Sequence, residues 1–330
     1  MYAPLLACLS LATLLAVDAL VSLGVAGLWP AVARAVARLR SARRARLLFL
    51  LRTAPALTAL AAVFALLVPS YLMHEPRDTR EAVGLEIGFA AALALAGIAR
   101  AARHGTTAWL ATRRLIRVWE KDAAWVSFAN AGVRARLIRH RFPVIGVVGI
   151  FRSRLFISEQ VLSSLSAEEL AAALAHERGH LAAGDNLKLA VLRACRDVLC
   201  ALPVGRDLER RWHAAAEEAA DEYAAQQGPA AALDLASALV KVARLVPPGA
   251  TPALPAGAAM MAGDPGSLGA RVTRLIRRGH QPAAARRLRA RAGRAALPAA
   301  LALLAAALLT ACGAELFVAV HRASEFLVAL

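Results

Sequence analysis

Four long apolar stretches dominate the pattern of hydrophobic and polar positions along the chain. They run from Pro4 to Trp29, from about Arg52 to Met73, from Ala82 to Ala99 and from about Ala296 to Val320. Each is close to the length of about 20 residues that a helix needs to cross a bilayer. We therefore predict a mostly α, multi-pass membrane protein with four transmembrane helices. Asp18 lies inside the first stretch, so we expect it to face protein rather than lipid.

The region between the third and fourth stretches has a different pattern and predicts a soluble α+β domain. From Phe142 onward, "FPVIGVVGIF" and "RLFISEQVL" are β-branched and glycine-punctuated, which predicts a strand hairpin. Ser166 and Glu169 match a capping box at the start of a helix, and Gly184 is a plausible stop. Further helices are predicted over Asp185–Leu202, Gly205–Gln227, Ala230–Val246 and Leu268–Gly279.

The net charge is +17, and the positions of the basic residues predict how the helices are oriented in the membrane. Arginine-rich flanks follow the first and third stretches and precede the second and fourth. By the positive-inside rule, all four flanks are cytoplasmic together, which places both termini outside and the soluble region in the cytoplasm of a bacterium. We find no recognition helix with a basic face, so we expect the lipid bilayer as a partner and no direct binding of nucleic acid.

These boundaries divide the chain into four parts. Residues 1–103 are expected to form a membrane region with three helices, and residues 104–295 a cytoplasmic catalytic domain. Residues 296–320 are expected to form the last transmembrane helix in the plasma membrane, and residues 321–330 a short tail.

The predicted helix after Ser166 carries the sequence "HERGH", which has the form HExxH. His176 and His180 are one turn apart on one face, so both imidazoles can bind one Zn²⁺ ion. Glu177 points about 100° away from His176 around the helix, where it can act as a general base on water. The flanking residues are apolar, and a buried His-Glu-His cluster without a partner would be unfavourable. We therefore predict one catalytic zinc ion per chain.

A third ligand is expected further along the chain, where "HAAAEEAADEY" offers several carboxylates. Glu217 is favoured because Asp221 lies one turn later and can orient a ligating histidine. Glu218 is the rival ligand, since the two glutamates cannot both reach the ion. Three further residues are candidates for supporting roles: His213 or Tyr223 could stabilise the transition-state oxyanion, His213 could merely pack, and Asp185 could brace the site or form a helix-end turn.

HExxH followed by ExxAD, here "HERGH" and "EEAAD", resembles the signature of membrane-embedded gluzincins. These include HtpX-type quality-control proteases, CAAX prenyl proteases and BlaR/MecR-type signal-transducing metallopeptidases. The order of three predicted membrane helices, a zinc domain and one more membrane helix resembles the BlaR/MecR type. The antibiotic-sensing members carry a penicillin-binding domain after the last helix, whereas about ten residues follow it here, so β-lactam sensing is not implied.

The resemblance implies a zinc endopeptidase that cleaves a cytosolic or membrane-proximal protein, such as a transcriptional repressor or the enzyme itself. Two alternatives remain open: an HtpX-like role in membrane-protein quality control, and a catalytically inactive, metal-binding membrane scaffold. An extended substrate could pair with the strand around Val144–Phe151 or with Leu155–Ser158.

Overall fold

A computed structural model describes residues 2–74, 83–128, 133–195, 198–247, 265–280 and 322. The predicted fourth membrane segment, residues 296–320, lies outside the described residues, as does most of the loop between the second and third segments. The expected division of the chain at residue 103 falls inside a helix, and the domain arrangement stays a prediction.

Three helices in the N-terminal part are long and apolar enough to cross a membrane. Helix α1 covers Tyr2–Ala37. Helix α2, Ser41–Ala61, continues through a π-helical segment, Ala62–Leu67, into α3, Val68–His74, so that the second span is one helix of 34 residues. Helix α4 covers Leu85–Lys121. Large apolar side chains such as those of Leu20, Phe64 and Phe89 are exposed on them, as expected of lipid-facing positions.

The helices extend further than the apolar stretches because their basic flanks are also good helix formers. Helix α2 begins eleven residues before the predicted start at Arg52, and α4 continues through its arginines to the cap at Asp122. Asp18 is buried, which confirms that it faces protein.

A small mixed sheet follows α4. Its strands are β1, Ala124–Phe128, β2, Val133–Ile138, β3, Ile145–Val148, and β4, Arg154–Ser158, in the order β1-β2-β4-β3. Strands β3 and β4 form the predicted antiparallel hairpin, which is confirmed. The antiparallel pair β1–β2 was not predicted, and β2 runs parallel to β4. The sequence of β2, "VRARLI", alternates apolar residues with arginines, and the strand is only partly buried. Its sequence signal for a buried strand is therefore weak.

Seven helices complete the described part of the chain: α5, Glu159–Ser164, α6, Ala167–Ala183, α7, Asp185–Ala194, α8, Val198–Ala201, α9, Pro203–Ala224, α10, Ala231–Leu245, and α11, Pro265–Gly279. The Ser166–Glu169 capping box and the left-handed Gly184 cap of α6 are both confirmed. The predicted single helix over Asp185–Leu202 is wrong, because the backbone leaves the helical conformation at Cys195. The Cys195 carbonyl oxygen instead accepts a hydrogen bond from Arg52 Nη2 at 2.6 Å.

Two apolar cores position the site. One joins the sheet to α6, α10 and α11. The other joins the adjoining ends of α1 and α2 to α7 and α9, with Trp29, Leu48 and Trp212 among its members. At its edge, Trp29 Nε1 donates a hydrogen bond to Asp207 Oδ2 at 3.1 Å. Helix α9 is therefore packed against membrane helices on one side and against the HExxH helix on the other.

Candidate metal centre

Helix α6 brings the two histidines of HExxH together in the interior. His176 and His180 are both buried, and their Nε2 atoms lie 3.2 Å apart. The separation follows from the one-turn spacing, which stacks both imidazoles on the same side of the helix. Two neutral imidazole nitrogens facing each other at this distance need a proton or a cation between them.

Helix α9 supplies a carboxylate to the same point. The Oε2 of Glu217 is 3.6 Å from His176 Nε2, and its Oε1 is 3.5 Å from His180 Nε2. One ligand atom from each of these three residues lies within 4.8 Å of the others. Glu218 instead points away, where it pairs with Arg44 of α2 and, at 3.3 Å, with Arg274 of α11. The structure thus brings Glu217, and not Glu218, to the histidines.

The spacing and charge of this group fit a divalent cation. A tetrahedral site with bonds of about 2.0–2.1 Å has ligand–ligand edges of roughly 3.3–3.4 Å, which the 3.2 Å between the two imidazole nitrogens matches, while each Glu217 oxygen lies 3.5–3.6 Å from a different imidazole. Among the residues that the structure describes, four carboxylates surround the group, and two cations accompany them: the Arg271 guanidinium beside Glu217 and Asp221, and the Lys188 ammonium 3.4 Å from Asp185, with Glu177 the fourth carboxylate. With neutral imidazoles this leaves two negative charges unbalanced, which a divalent ion would offset.

Glu177 lies beside the histidines without belonging to the ligand group. Its side chain is buried, and its Oε2 accepts a hydrogen bond from the Val147 backbone N–H at 3.1 Å. Burial raises the pKa of Glu177, and the nearby His176 and His180 partly oppose this. The carboxyl group is therefore oriented by β3 and has the raised proton affinity that a group exchanging protons near neutral pH requires.

Each histidine has a carboxylate on its other ring nitrogen. Asp185 Oδ2 is 2.8 Å from His180 Nδ1, and Asp221 Oδ1 is 3.0 Å from His176 Nδ1, although at an angle that is poor for a hydrogen bond. Burial alone would lower the pKa of His180, but Glu217 and Asp185 raise it to about 9. Asp185 is the first residue of α7, and its side chain contacts His180.

Arg271 of α11 is a residue of the site that the sequence did not reveal. Its side chain is only 3% exposed; it forms hydrogen bonds from Nε and Nη2 to the two Asp221 oxygens at 3.0 and 2.7 Å, and Nη1 lies 2.9 Å from Glu217 Oε2. Burial would raise the pKa of Asp221, but His176 and Arg271 together lower it. Arg271 sits in a run of basic residues that reads as a membrane flank, and only its apolar neighbours Leu268, Val272 and Leu275 marked that face of α11 as buried.

Gly179 explains how α9 comes close enough. A Cβ atom at this position would lie 3.0 Å from Ala220 Cα and 3.3 Å from the Cβ atoms of Ala220 and Tyr223. The backbones of α6 and α9 can approach this closely because Gly179 has no side chain. Gly179 lies between His176 and His180, and Ala220 lies between Glu217 and Asp221. This contact therefore determines how close the two carboxylates come to the histidines.

The two candidates for oxyanion stabilisation are placed differently. His213 is exposed, and its ring packs against Trp212 with centroids 4.9 Å apart. Tyr223 is half-buried with its Cβ beside Gly179. Neither residue belongs to the ligand group that the described residues form, and an oxyanion role for either stays a prediction.

The sheet edge next to the site is β3. Strand β4 lies between β2 and β3, so the expectation that Leu155–Ser158 could pair with a substrate is wrong. In β3, the Val147 N–H donates a hydrogen bond to Glu177. The Val147 carbonyl oxygen accepts a hydrogen bond from Asn186 Nδ2 at 3.0 Å. The same Asn186 nitrogen bonds the Gly149 carbonyl at 3.1 Å, which fixes the hairpin to α7.

A comparison with family models supports a class of enzyme for this geometry. Residues 111–208 match the model of peptidase family M48. The match supports the M48 metallopeptidase family, whose members are metal-dependent peptide hydrolases. The matched range contains the sheet and HExxH but ends before Glu217. The M48 match and the position of Glu217 beside the histidines are therefore independent observations. No curated protein and no solved structure gave a significant match.

With the M48 match and the three apolar helices, the chain is consistent with a membrane metalloprotease.

The two neighbouring glutamates of α9 allow a direct test of the ligand set. We expect Glu217→Gln to weaken zinc binding by more than about 100-fold, since loss of a residue that only orients a ligand already costs 10–100-fold. Glu218→Gln, which removes the same charge one position away, is expected to leave affinity within a few-fold. Competition with a chromogenic chelator measures both, and the reverse order would make Glu218 the ligand.

The close helix contact predicts a steric effect at Gly179. Gly179→Ala forces α6 and α9 apart by a few tenths of an ångström, which we expect to cost about 1–3 kcal/mol and to weaken zinc binding. Gly105→Ala in α4 is the matched control, because its Cβ would meet nothing within 4 Å. Thermal unfolding and zinc titration of the two proteins would show no difference if the contact were not limiting.

Arg271 is expected to act on the metal through Glu217 and Asp221. Arg271→Ala removes the side chain that positions the Glu217 and Asp221 carboxylates, so we expect zinc affinity to fall about 10–100-fold. Arg274→Ala, one turn further along α11, removes only the half-exposed partner of Glu218. An equal loss of zinc affinity in both variants would mean that α11 contributes by its packing as a whole and not through the contacts of Arg271.

Proposed function

We propose that this protein is a membrane-bound, zinc-dependent endopeptidase of the BlaR/MecR type, with His176, His180 and Glu217 as the metal ligands. The observation that carries the proposal is the convergence of these three side chains from α6 and α9 beside a buried glutamate. Two nitrogens and one carboxylate oxygen form a usual protein ligand set for catalytic zinc, which leaves one coordination position open.

The mechanism follows from the placement of the chain's own residues. When bound, zinc would polarise the scissile carbonyl and lower the pKa of water at the site. Glu177 accepts the proton from the attacking water and returns it to the leaving amine, while the Val147 N–H holds the carboxyl in place. Asp185 orients the His180 imidazole, Asp221 lies against Nδ1 of His176, and Arg271 holds the Asp221 and Glu217 carboxylates in place.

A regulatory role is supported by the packing of α9 on the membrane helices. Arg44 at the start of α2 pairs with Glu218, the residue next to the third ligand, and Trp29 of α1 bonds Asp207 on the same helix. A displacement of α1 or α2 would therefore act on the helix that carries Glu217. The short helices α7 and α8 between HExxH and Glu217 are not candidate spans, which favours the BlaR/MecR-type layout over the HtpX type.

The substrate class that fits this arrangement is a cytosolic or membrane-proximal protein. The arginines at the ends of α1, α2 and α4 support a location of the metal centre on the cytoplasmic side by the positive-inside rule. A transcriptional repressor, or a segment of the protein itself, would be within reach of that side. We infer a bacterial plasma membrane as the location, with both termini on the outer side.

Glu177→Gln separates a protease from an inactive metal-binding scaffold. The amide keeps an oxygen for the Val147 N–H but cannot accept the proton of water, so we expect cleavage to fall by about 100-fold or more at unchanged zinc content. Glu222→Gln on α9, whose carboxylate pairs with Arg278 at 3.0 Å, is the matched control.

The assay uses the full chain in detergent with one zinc per protein, and mass spectrometry detects cleavage of an unfolded protein and of the chain itself. Zinc-dependent cleavage that Glu177→Gln abolishes supports the proposal. Zinc binding with no cleavage by the unchanged chain, or cleavage that survives in Glu177→Gln, would contradict it.

A further inference from the structure

A cavity separate from the metal centre lies between α4 and the turn that joins β3 to β4. Its volume is about 500 Å³, which is in the range of small-ligand pockets. One wall is a single face of α4, where Trp109, Arg113, Ile116 and Arg117 follow one another at helical spacing. The other wall is the hairpin turn, which contributes Arg152 and Phe151.

The cavity carries an excess of positive charge. Its one lining carboxylate, Glu120, is already paired with Arg154 and, at 3.0 Å, with Arg136. Arg113, Arg117 and Arg152 are exposed, and none of them pairs with a carboxylate among the residues that the structure describes. Guanidinium groups bind phosphate in a bidentate manner, so three of them around one cavity favour a phosphate ligand.

The walls also present apolar surface beside these charges. The Phe151 side chain is 78% exposed at the tip of the turn, and Trp109 is partly exposed with the Arg113 guanidinium 4.6 Å from its ring centroid. A ligand with a phosphate next to apolar groups would contact both kinds of surface. A free inorganic phosphate would use only the arginines.

The position along α4 indicates where such a ligand comes from. The apolar part of α4 ends at Ala99, where its arginines begin, and the helix continues to Lys121. Trp109, the first residue of the cavity, lies about ten residues or 15 Å beyond that end along the helix axis, so the cavity is on the continuation of a candidate membrane span. Arg113 and Arg117 follow one and two turns further along α4, and their long side chains can extend back along the helix towards the membrane.

We propose that this cavity binds the headgroup of an anionic phospholipid, with Arg113, Arg117 and Arg152 on the phosphate and with Trp109 and Phe151 against the apolar part of the ligand. The hairpin is held to α7 by Asn186, and β3 holds Glu177 through Val147. A bound lipid would therefore contact the element that positions the proposed general base.

The test measures binding of a fluorescent phosphatidylglycerol to the full chain in detergent. The variant Arg113→Ala/Arg117→Ala/Arg152→Ala is expected to bind on the order of 100-fold more weakly, at about 1 kcal/mol for each arginine. The matched control, Arg100→Ala/Arg103→Ala/Arg114→Ala, removes the same charge from exposed positions of α4 outside the cavity and is expected to change binding only a few-fold. Phosphatidylcholine, inorganic phosphate and an acidic peptide serve as competitors.

Selective displacement by unlabelled phosphatidylglycerol, together with the difference between the two triple variants, supports the proposal. Equal loss in both variants would show diffuse attraction instead of a site. Effective competition by phosphatidylcholine, by inorganic phosphate or by the acidic peptide would each assign the cavity to another ligand. Arg152→Gln, a single change on an exposed turn, is expected to weaken binding about fivefold and replaces the triple variant if that variant does not fold.

Discussion

The close approach of α6 and α9 is the contact on which the candidate metal centre depends. HExxH fixes two nitrogens on α6, but a third ligand from another helix must arrive within a few ångströms of them. Gly179 opposite Ala220 allows this approach, and Glu217 and Asp221 then lie on either side of the contact. The apolar faces of α6 and α9 bring the helices together, and the missing Cβ sets how near they come.

That approach buries a group of charges that must be balanced. Arg271 offsets part of the negative charge of Glu177, Glu217 and Asp221, and it joins α11 to the site. Removing one partner from such a group costs more than the group contributes as a whole, because the remaining charges stay buried. Helix α11 is therefore held to α9 by its charge as well as by its apolar face, and Glu217 is supported from three helices.

Local signals in the sequence were sufficient for the parts of the structure that local chemistry determines. Helix spacing within "HERGH", the Ser166–Glu169 box and the Gly184 cap each involve residues a few positions apart, and the two caps are confirmed. Arg271 could not be found in this way, since it lies fifty residues from Asp221 and resembles its basic neighbours. Strands β1 and β2 were missed because their polar faces weaken the alternation, and the packing of α9 on α1 and α2 had no sequence signal.

The long-range contacts that the sequence did not reveal are also those that connect the metal centre to its surroundings. Arg44 and Glu218 link α2 to the helix carrying Glu217, while Val147 links Glu177 to the hairpin beside the arginine-lined cavity. The two connections lead to residues with different proposed roles. The first leads to the helix of the proposed third ligand, and the second leads to the proposed general base. A change in helix packing and a change in lipid contact would therefore affect metal binding and proton transfer separately.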